Sequence, residues 1–287
     1  MKEKNKQKNK LNLFLFGAAE EVTGSNYLLD GEFTGRKTRL LVDCGFFQGS
    51  RISEEKNNKP FPYDLSSINA VAVTHAHLDH IGRIPKLVKD GFRGKIFSTP
   101  PTYDFAKLML TDSLGVLEKE AKRNGNRETI YNEEDVNAAI KLWEKVDYGE
   151  LFSVGDFNVV LRNAGHILGS AMIEVNSIDE GEQGAQKIVF SGDLGSPPEP
   201  LLKDTEKISE ADFLVVESTY GDRSHEDAKE IDIKLERIIE SVIHHKGVLM
   251  IPAFSLERTQ KVLFQINNLV ENGRIPKVAI FLDSPLS

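Results

Sequence analysis

The chain has 287 residues, 40% of them hydrophobic and 28% charged, with a formal net charge of −8. That length accommodates one large domain, or one domain and part of another; no apolar run approaches the roughly 18 residues of a membrane span, and the acidic balance argues against a protein that coats nucleic acid through Lys and Arg. The single cysteine, Cys44, excludes an internal disulfide and suits a reducing compartment, so a cytoplasmic location is expected.

Residues 1–10, MKEKNKQKNK, read as a disordered tail rather than a secretory leader. LNLFLF (Leu11 to Phe16), NYLLD and TRLLVDCG predict three strands of a meander, the third ending at Asp43. Ala70 to Thr74 predicts another strand, then a loop, then a helix on which Ile81, Ile84, Leu87 and Val88 recur and which Gly91 stops. Residues 101–147 predict helices. One carries Phe105, Leu108 and Met109 on a face; the other carries Val136, Ile140 and Trp143 and is N-capped by Asn132, with Asp135 three residues on. FNVVLRNAGH, SAMIEV, KIVFSGDLG and FLVVESTYG read as strands. Strands and helices in this order suggest two mixed sheets packed face to face with helices outside.

From about Asp222 the pattern changes. An amphipathic helix carries Ile231, Leu235, Ile238, Ile239 and Val242 and ends near His244, His245 and Gly247. GVLMIPAF, a helix with Val262, Leu263, Ile266, Leu269 and Val270 stopped after Asn272 by Gly273, and KVAIFLD then form a strand–helix–strand unit. Its two strands are expected to lie parallel in a new sheet.

Chemistry concentrates in Thr74-His75-Ala76-His77-Leu78-Asp79-His80, a loop between an apolar strand and a helix. In extended backbone His75, His77 and Asp79 project to one side, and a turn at Asp79 brings His80 round. Two imidazoles can then hold one ion while Asp79 and His80 hold a neighbour; imidazole and carboxylate donors suit zinc, with manganese or iron as other occupants. His166 in AGHILGS and Asp193 in SGDLG sit where apolar strands end, and are read as further ligands. Either alone would more often be a turn residue. Cys44 reads as a small core residue, His244 and His245 as favourable charges at a helix C-terminus, and His225 as a surface residue at a helix start. Arg258 and Gln260 open a helix; Arg258 is a candidate phosphate contact, although an exposed helix surface explains it nearly as well.

The segments EEVTGSNYLL, DCGFFQG, HLDHIGRIP, GHILGSA, SGDLG, ESTYGDR and IPAFSLERTQ, in that order, resemble the metallo-β-lactamase superfamily and, within it, the β-CASP branch of RNase J-like and pre-mRNA 3′-end-processing nucleases. The resemblance implies an α/β fold: a four-layer αβ/βα sandwich over residues 11–221, and the start of an inserted α/β β-CASP domain over 222–287. It also implies one zinc held by His75, His77, His166 and Asp193, and a second by Asp79, His80 and the bridging Asp193. Asp43 would orient the ligand loop, and Glu217 a later histidine that protonates the leaving group. Asp79, Asp193 and Glu217 are thus the catalytic candidates. Two ions about 3.5–4 Å apart would share a hydroxide and stabilise the charge of a phosphodiester undergoing hydrolysis.

RNA is the expected substrate. The alternatives are a hydrolase of small esters or thioesters on the same fold, which would need no segment like ESTYGDR or IPAFSLERTQ, and a non-catalytic RNA-processing scaffold, which would tend to have lost ligands. The family's closing histidines are expected beyond Ser287. On that expectation this chain exposes apolar surface around Val248–Ile251 and Val278–Leu282, aggregates, and cleaves RNA poorly.

Overall fold

The computed structural model describes residues 10–33, 36–50, 55–125, 128–178, 184–197, 199–224, 228–284 and 286. Of the tail expected over residues 1–10, residues 1–9 lie outside them, as does the surface position of His225, whereas Lys10 already pairs with Glu32 in a strand. The chain divides into two compact units, Met1–Glu217 and Ser218–Ser287.

In the first unit the described strands form two sheets. The six-stranded sheet runs β1 (Lys10–Leu15), β2 (Tyr27–Phe33), β3 (Arg36–Val42), β4 (Ala70–Ala72), β5 (Lys95–Ser98) and β6 (Trp143–Lys145), in sequence order. Its first three strands pair antiparallel, with Leu29 opposite both Leu13 and Leu40, and β3 to β6 pair parallel. Parallel neighbours need crossovers, and helices supply them. Between β4 and β5 lie α1 (Leu78–Ile81) and α2 (Ile84–Lys89); between β5 and β6 lie α3 (Pro100–Arg123) and α4 (Glu133–Lys141). The second sheet, in the order β11-β10-β9-β8-β7, contains β7 (Leu151–Val154), β8 (Phe157–Asn163), β9 (Ala171–Ser177), β10 (Lys187–Phe190) and β11 (Phe213–Val215). All of its pairs are antiparallel except β10 with β11.

Two cores result. Leu29, Leu40, Val42, Ala70, Ala72 and Phe97 of the first sheet meet Phe157, Val159, Leu161, Ile173, Val175 and Phe190 of the second. On the other face of the first sheet, Leu41, Val71 and Ile96 pack against Ile81, Ile84, Leu87, Leu110 and Val136 of the helices. Because strand faces alternate, Leu40 and Leu41 feed opposite layers. Helix, sheet and sheet make three layers. The second sheet is joined mostly by hairpin connections, which require no helix, and the two packed sheets with their helices are the α/β sandwich expected.

Local departures from the sequence expectation have visible causes. The single helix expected over Ile81 to Val88 is two helices. The Arg83 amide leaves the helical ladder to donate to Cys44 O at 2.9 Å, and Pro85, with no amide hydrogen, opens the second helix. Asn132 caps α4 with the reciprocal Asp135 bond, as expected. Trp143, however, lies past that helix, in β6, where its indole donates to Ser98 Oγ at 2.8 Å. On α3, Phe105 and Met109 pack on the core while Leu108 turns to solvent; Thr102, Ala106, Leu110, Ser113 and Leu114 are the buried positions.

In the second unit, α5 (Ala228–His244) and α6 (Arg258–Glu271) are joined by a small core of Ile239, Ile266, Leu269 and Ile275, with Leu235, Leu249, Val262 and Val278 half-buried around it. Gly273, at φ +67°, follows the helix end. The two strands expected at GVLMIPAF and KVAIFLD do not form; neither segment pairs as a strand. Leu249 and Val278 tuck against the helices, whereas Val248, Met250, Phe254 and Phe281 face solvent. A strand is stabilised by a neighbouring edge, and none accompanies these segments among the described residues. No helix of the described residues is long and apolar enough to cross a membrane.

Candidate metal centre

The loop after β4 begins where the first sheet stops supplying backbone partners. Val73 N still donates to Phe97 O, at 2.8 Å, while Thr74 N donates to the Asp43 carboxylate, Oδ1, also at 2.8 Å. His77 takes extended backbone at the N-cap of α1 without using its side chain as a cap, so the ring is free to turn into the loop. The chain around DCG is threaded against α1: Cys44 N donates to His80 O, Phe46 N to Leu78 O, and Ser25 N to Asp79 O, all within 2.9 Å. Only glycine fits between them. A Cβ on Gly45 would stand 1.5 Å from Asp79 O.

Two further loops close on this one. Gly195 N donates to Ala164 O at 2.9 Å, tying the Asp193 loop to the His166 loop, and Ala171 N donates to Thr74 O at 2.7 Å, tying the latter to the histidine loop. The result is a cluster. His75, His77, His166 and Asp193 each offer one ligand atom, all within 4.8 Å of one another. His77 Nδ1 lies 3.1 Å from His75 Nε2 and 3.3 Å from His166 Nε2; Asp193 Oδ2 lies 3.5 Å from His166 Nε2 and 3.7 Å from His75 Nε2.

The other oxygen of Asp193 faces a second group. Oδ1 lies 3.3 Å from His80 Nε2, which is also 3.8 Å from Asp79 Oδ2. Behind His80, Nδ1 lies 2.8 Å from Asp43 Oδ2, which also accepts the Thr74 hydroxyl at 2.7 Å. Asp43 is fully buried with φ +57°, a strained backbone for a non-glycine residue that its convergent donors hold in place.

These surroundings set the charges. Burial drives the His75 pKa well below its usual value and that of His77 to about 4, with the neighbouring imidazoles adding to the effect; His166 is lowered for the same first reason, against the pull of Asp193. Burial alone would raise Asp193, yet the hydrogen bond and charge of His80 outweigh it and bring the carboxyl to about 2. Burial also opposes the His80 cation, but Asp43 and Asp193 hold its pKa well above the ordinary range. Burial raises Asp79. Ring nitrogens of His75, His77 and His166 thus converge beside a carboxylate oxygen of Asp193, a donor set that suits a divalent cation. Four ligands about 2.0–2.1 Å from a tetrahedral zinc would stand about 3.3 Å apart, close to the 3.1 to 3.7 Å that separates neighbouring pairs around the cluster.

Glu217 is half-buried after β11. Its carboxylate accepts the amide of Leu194, next to Asp193, at 3.2 Å, and its own amide donates to Ser191 Oγ. It braces the Asp193 loop. Arg258 is the exposed first residue of α6, in the second unit. Cys44 is buried, and burial raises its thiol to about 11, as suits a packing residue. His245, exposed past the end of α5, bonds Ser241 O within its own helix turn at 2.7 Å. Sequence reasoning passed over Thr74, which joins Asp43 to the histidine loop, and Ser25, whose hydroxyl lies 3.5 Å from His80 Nε2. Thr74 stands beside His75 in the motif, but nothing in a lone hydroxyl residue marks it out before folding.

Fold and site define a class. A family model described as the beta-lactamase superfamily domain matches residues 38–252, and the chain belongs to that family. Among curated proteins it is similar to ribonuclease TTHA0252 of Thermus thermophilus, 37% identical over 272 residues, covering 95% of this chain and 58% of that protein. It is also similar to transcription termination factor FttA of Methanosarcina mazei, 33% identical over 93% of this chain and 41% of the relative. Endoribonuclease YSH1 of Kluyveromyces lactis is 27% identical over 93% of this chain and 34% of its own length. These relatives bear out the β-CASP resemblance. The chain spans little more than half the length of the first and less than half of the others.

Proposed function

We propose that the chain is the metal-binding part of a nuclease that hydrolyses phosphodiester bonds in RNA. The observation that carries this is the double role of Asp193, one oxygen turned to His75 and His166 and the other to His80. His75, His77, His166 and Asp193 would hold one ion; Asp79, His80 and Asp193 would hold a second. Zinc suits the donor set, with manganese as the alternative. Bound there, divalent metal supplies Lewis acidity toward a phosphoryl oxygen and lowers the pKa of a water to about 7.

The chain's own residues do the rest. Asp193 keeps the two ligand groups at a fixed separation, and Asp79, 3.8 Å from His80 Nε2, completes the second. Asp43 occupies Nδ1 of His80, so Nε2 is the nitrogen presented to the site. Glu217 keeps the Asp193 loop in place through Leu194. RNA is favoured as substrate by the relatives that are called ribonuclease and endoribonuclease. Arg258, exposed at the start of α6, is the candidate phosphate contact. The single buried thiol suits the reducing cytoplasm.

The test uses end-labelled single-stranded RNA and DNA of one sequence, incubated with the chain before and after chelation and again after zinc or manganese is restored. Cleavage of RNA that needs metal and is lost in Asp79→Asn supports the proposal, even when slow. Cleavage indifferent to chelation, or a folded protein that binds no divalent metal, overturns it.

A further inference from the structure

The His166 loop turns on one hydroxyl. Ser170 is buried, and its Oγ accepts two successive backbone amides, from His166 at 3.0 Å and Ile167 at 3.2 Å. Its own amide donates to Ile167 O at 2.9 Å, and its carbonyl accepts Ala164 N at 3.1 Å and the Tyr148 hydroxyl at 2.8 Å. One residue earlier, Gly169 O receives the hydroxyls of both Thr99 and Thr102, at 2.6 and 2.9 Å, from the N-terminus of α3. Ser170 is thus the inner fastening of a six-residue turn whose outer fastenings lie on α3 and Tyr148.

We infer that Ser170 is a positioning residue for the metal centre, acting through the peptide plane of His166. The inference rests on the proposed metal site. His166 reaches the cluster from a loop with no ladder partner for its amide, so the ring's place follows the direction of that amide. The Ser170 hydroxyl sets the direction, and the Ile167 amide, bound to the same oxygen, prevents the turn from relaxing. Removing the oxygen leaves two amides, that of Ile167 fully enclosed, without their acceptor. The turn then has reason to rotate them toward other partners, carrying the His166 ring away from His77 Nδ1 and Asp193. Groups that orient a metal-bound histidine typically change metal affinity about 10–100-fold when removed.

The experiment measures metal affinity in the intact chain by competition with a chelator, together with the visible spectrum of the cobalt-substituted protein, for the wild type, His166→Ala, Ser170→Ala and Ser177→Ala. Ser177 is a stability control: it is equally buried, accepts the Gln186 amide at 2.8 Å, and touches none of the proposed ligands. Ser170→Ala is expected to lose about 10–100-fold in affinity and to weaken the four-coordinate cobalt bands, whereas Ser177→Ala lowers the melting temperature and leaves affinity and spectrum alone. Wild-type affinity and spectrum in Ser170→Ala, with loss in His166→Ala, overturns the inference. Unchanged binding in His166→Ala as well would instead overturn the metal site itself. Where Ser170→Ala does not fold, Ser170→Cys, which replaces the hydroxyl oxygen by a weaker acceptor, carries the test: a several-fold loss supports the inference, and unchanged affinity overturns it.

Discussion

Asp43 Oδ2 stands 2.8 Å from His80 Nδ1, fully buried behind the proposed metal site and 37 residues away in sequence. A carboxylate there fixes both the ring's orientation and the nitrogen it presents to Asp79 and Asp193. Asp43→Asn is therefore expected to weaken the second metal site about 10–100-fold while leaving the first nearly as tight. Stepwise metal titration followed by calorimetry checks this; equal weakening of both sites would place Asp43 in general scaffolding instead.

The four-ligand set makes a sharper contrast between histidines. His77→Ala removes the nitrogen that lies within 3.3 Å of both His75 and His166, and one equivalent of tightly held metal should disappear with it. His245→Ala touches only its own helix turn and should leave metal content unchanged. Elemental analysis of the two purified variants decides the matter.

Two glycines should respond with opposite signs. Gly45→Ala forces a methyl against Asp79 O inside the loop packing, and should cost at least about 1–3 kcal/mol. Gly115, within α3, has open space where its Cβ would be, so Gly115→Ala should gain about 0.5–1 kcal/mol from helix propensity. Chemical denaturation of the two variants measures both.

Glu174 on β9 is paired with Lys187 Nζ at 3.0 Å and Arg162 Nε at 3.2 Å. Burial pushes its carboxyl up, but the two cations outweigh burial and hold it below the ordinary range. A depressed folded pKa contributes stability that is present above the unfolded value, about 4.3, and is lost as pH falls through the folded one. Glu174→Gln should thus destabilise the protein by about 1–2 kcal/mol at pH 7, after allowance for the partly exposed cations. The gap from wild type should close below about pH 4. Urea titrations at pH 7 and pH 3.5 test the sign; a gap that widens in acid would refute the pairing.

The second unit predicts self-association. Phe281, Val248, Met250 and Phe254 are 91%, 87%, 86% and 82% exposed, far beyond the isolated apolar side chains of an ordinary surface. The chain should form concentration-dependent oligomers in light-scattering measurements, and replacing Met250 and Phe281 by Lys together should shift it toward monomer. A monodisperse wild type at high concentration would count against it.

Much of this molecule was legible before folding because its signals are local. β1 to β4, the Asn132 cap and the last two helices follow from periodicity and end residues that act within a few positions of themselves. The loop from His75 to His80 is equally local: alternating donors between an apolar strand and a helix place four candidate ligands within six residues. Other features depend on partners far away in sequence, and only the tertiary structure decided them. Trp143 looks like a helix residue until β5 offers it a ladder and Ser98 an acceptor. The segments at Val248 and Val278 look like strands but have no paired edge to make them so. Neither the convergence of His166 and Asp193 on His77 nor the link from Asp43 to His80 can be read from spacing, because each rests on backbone bonds between loops: Ala171 to Thr74, Gly195 to Ala164, Cys44 to His80. Sequence determines which side chains can serve as ligands, since that is a property of each residue; their distances are a property of how separate loops are fastened together, and that exists only once the sheets have packed.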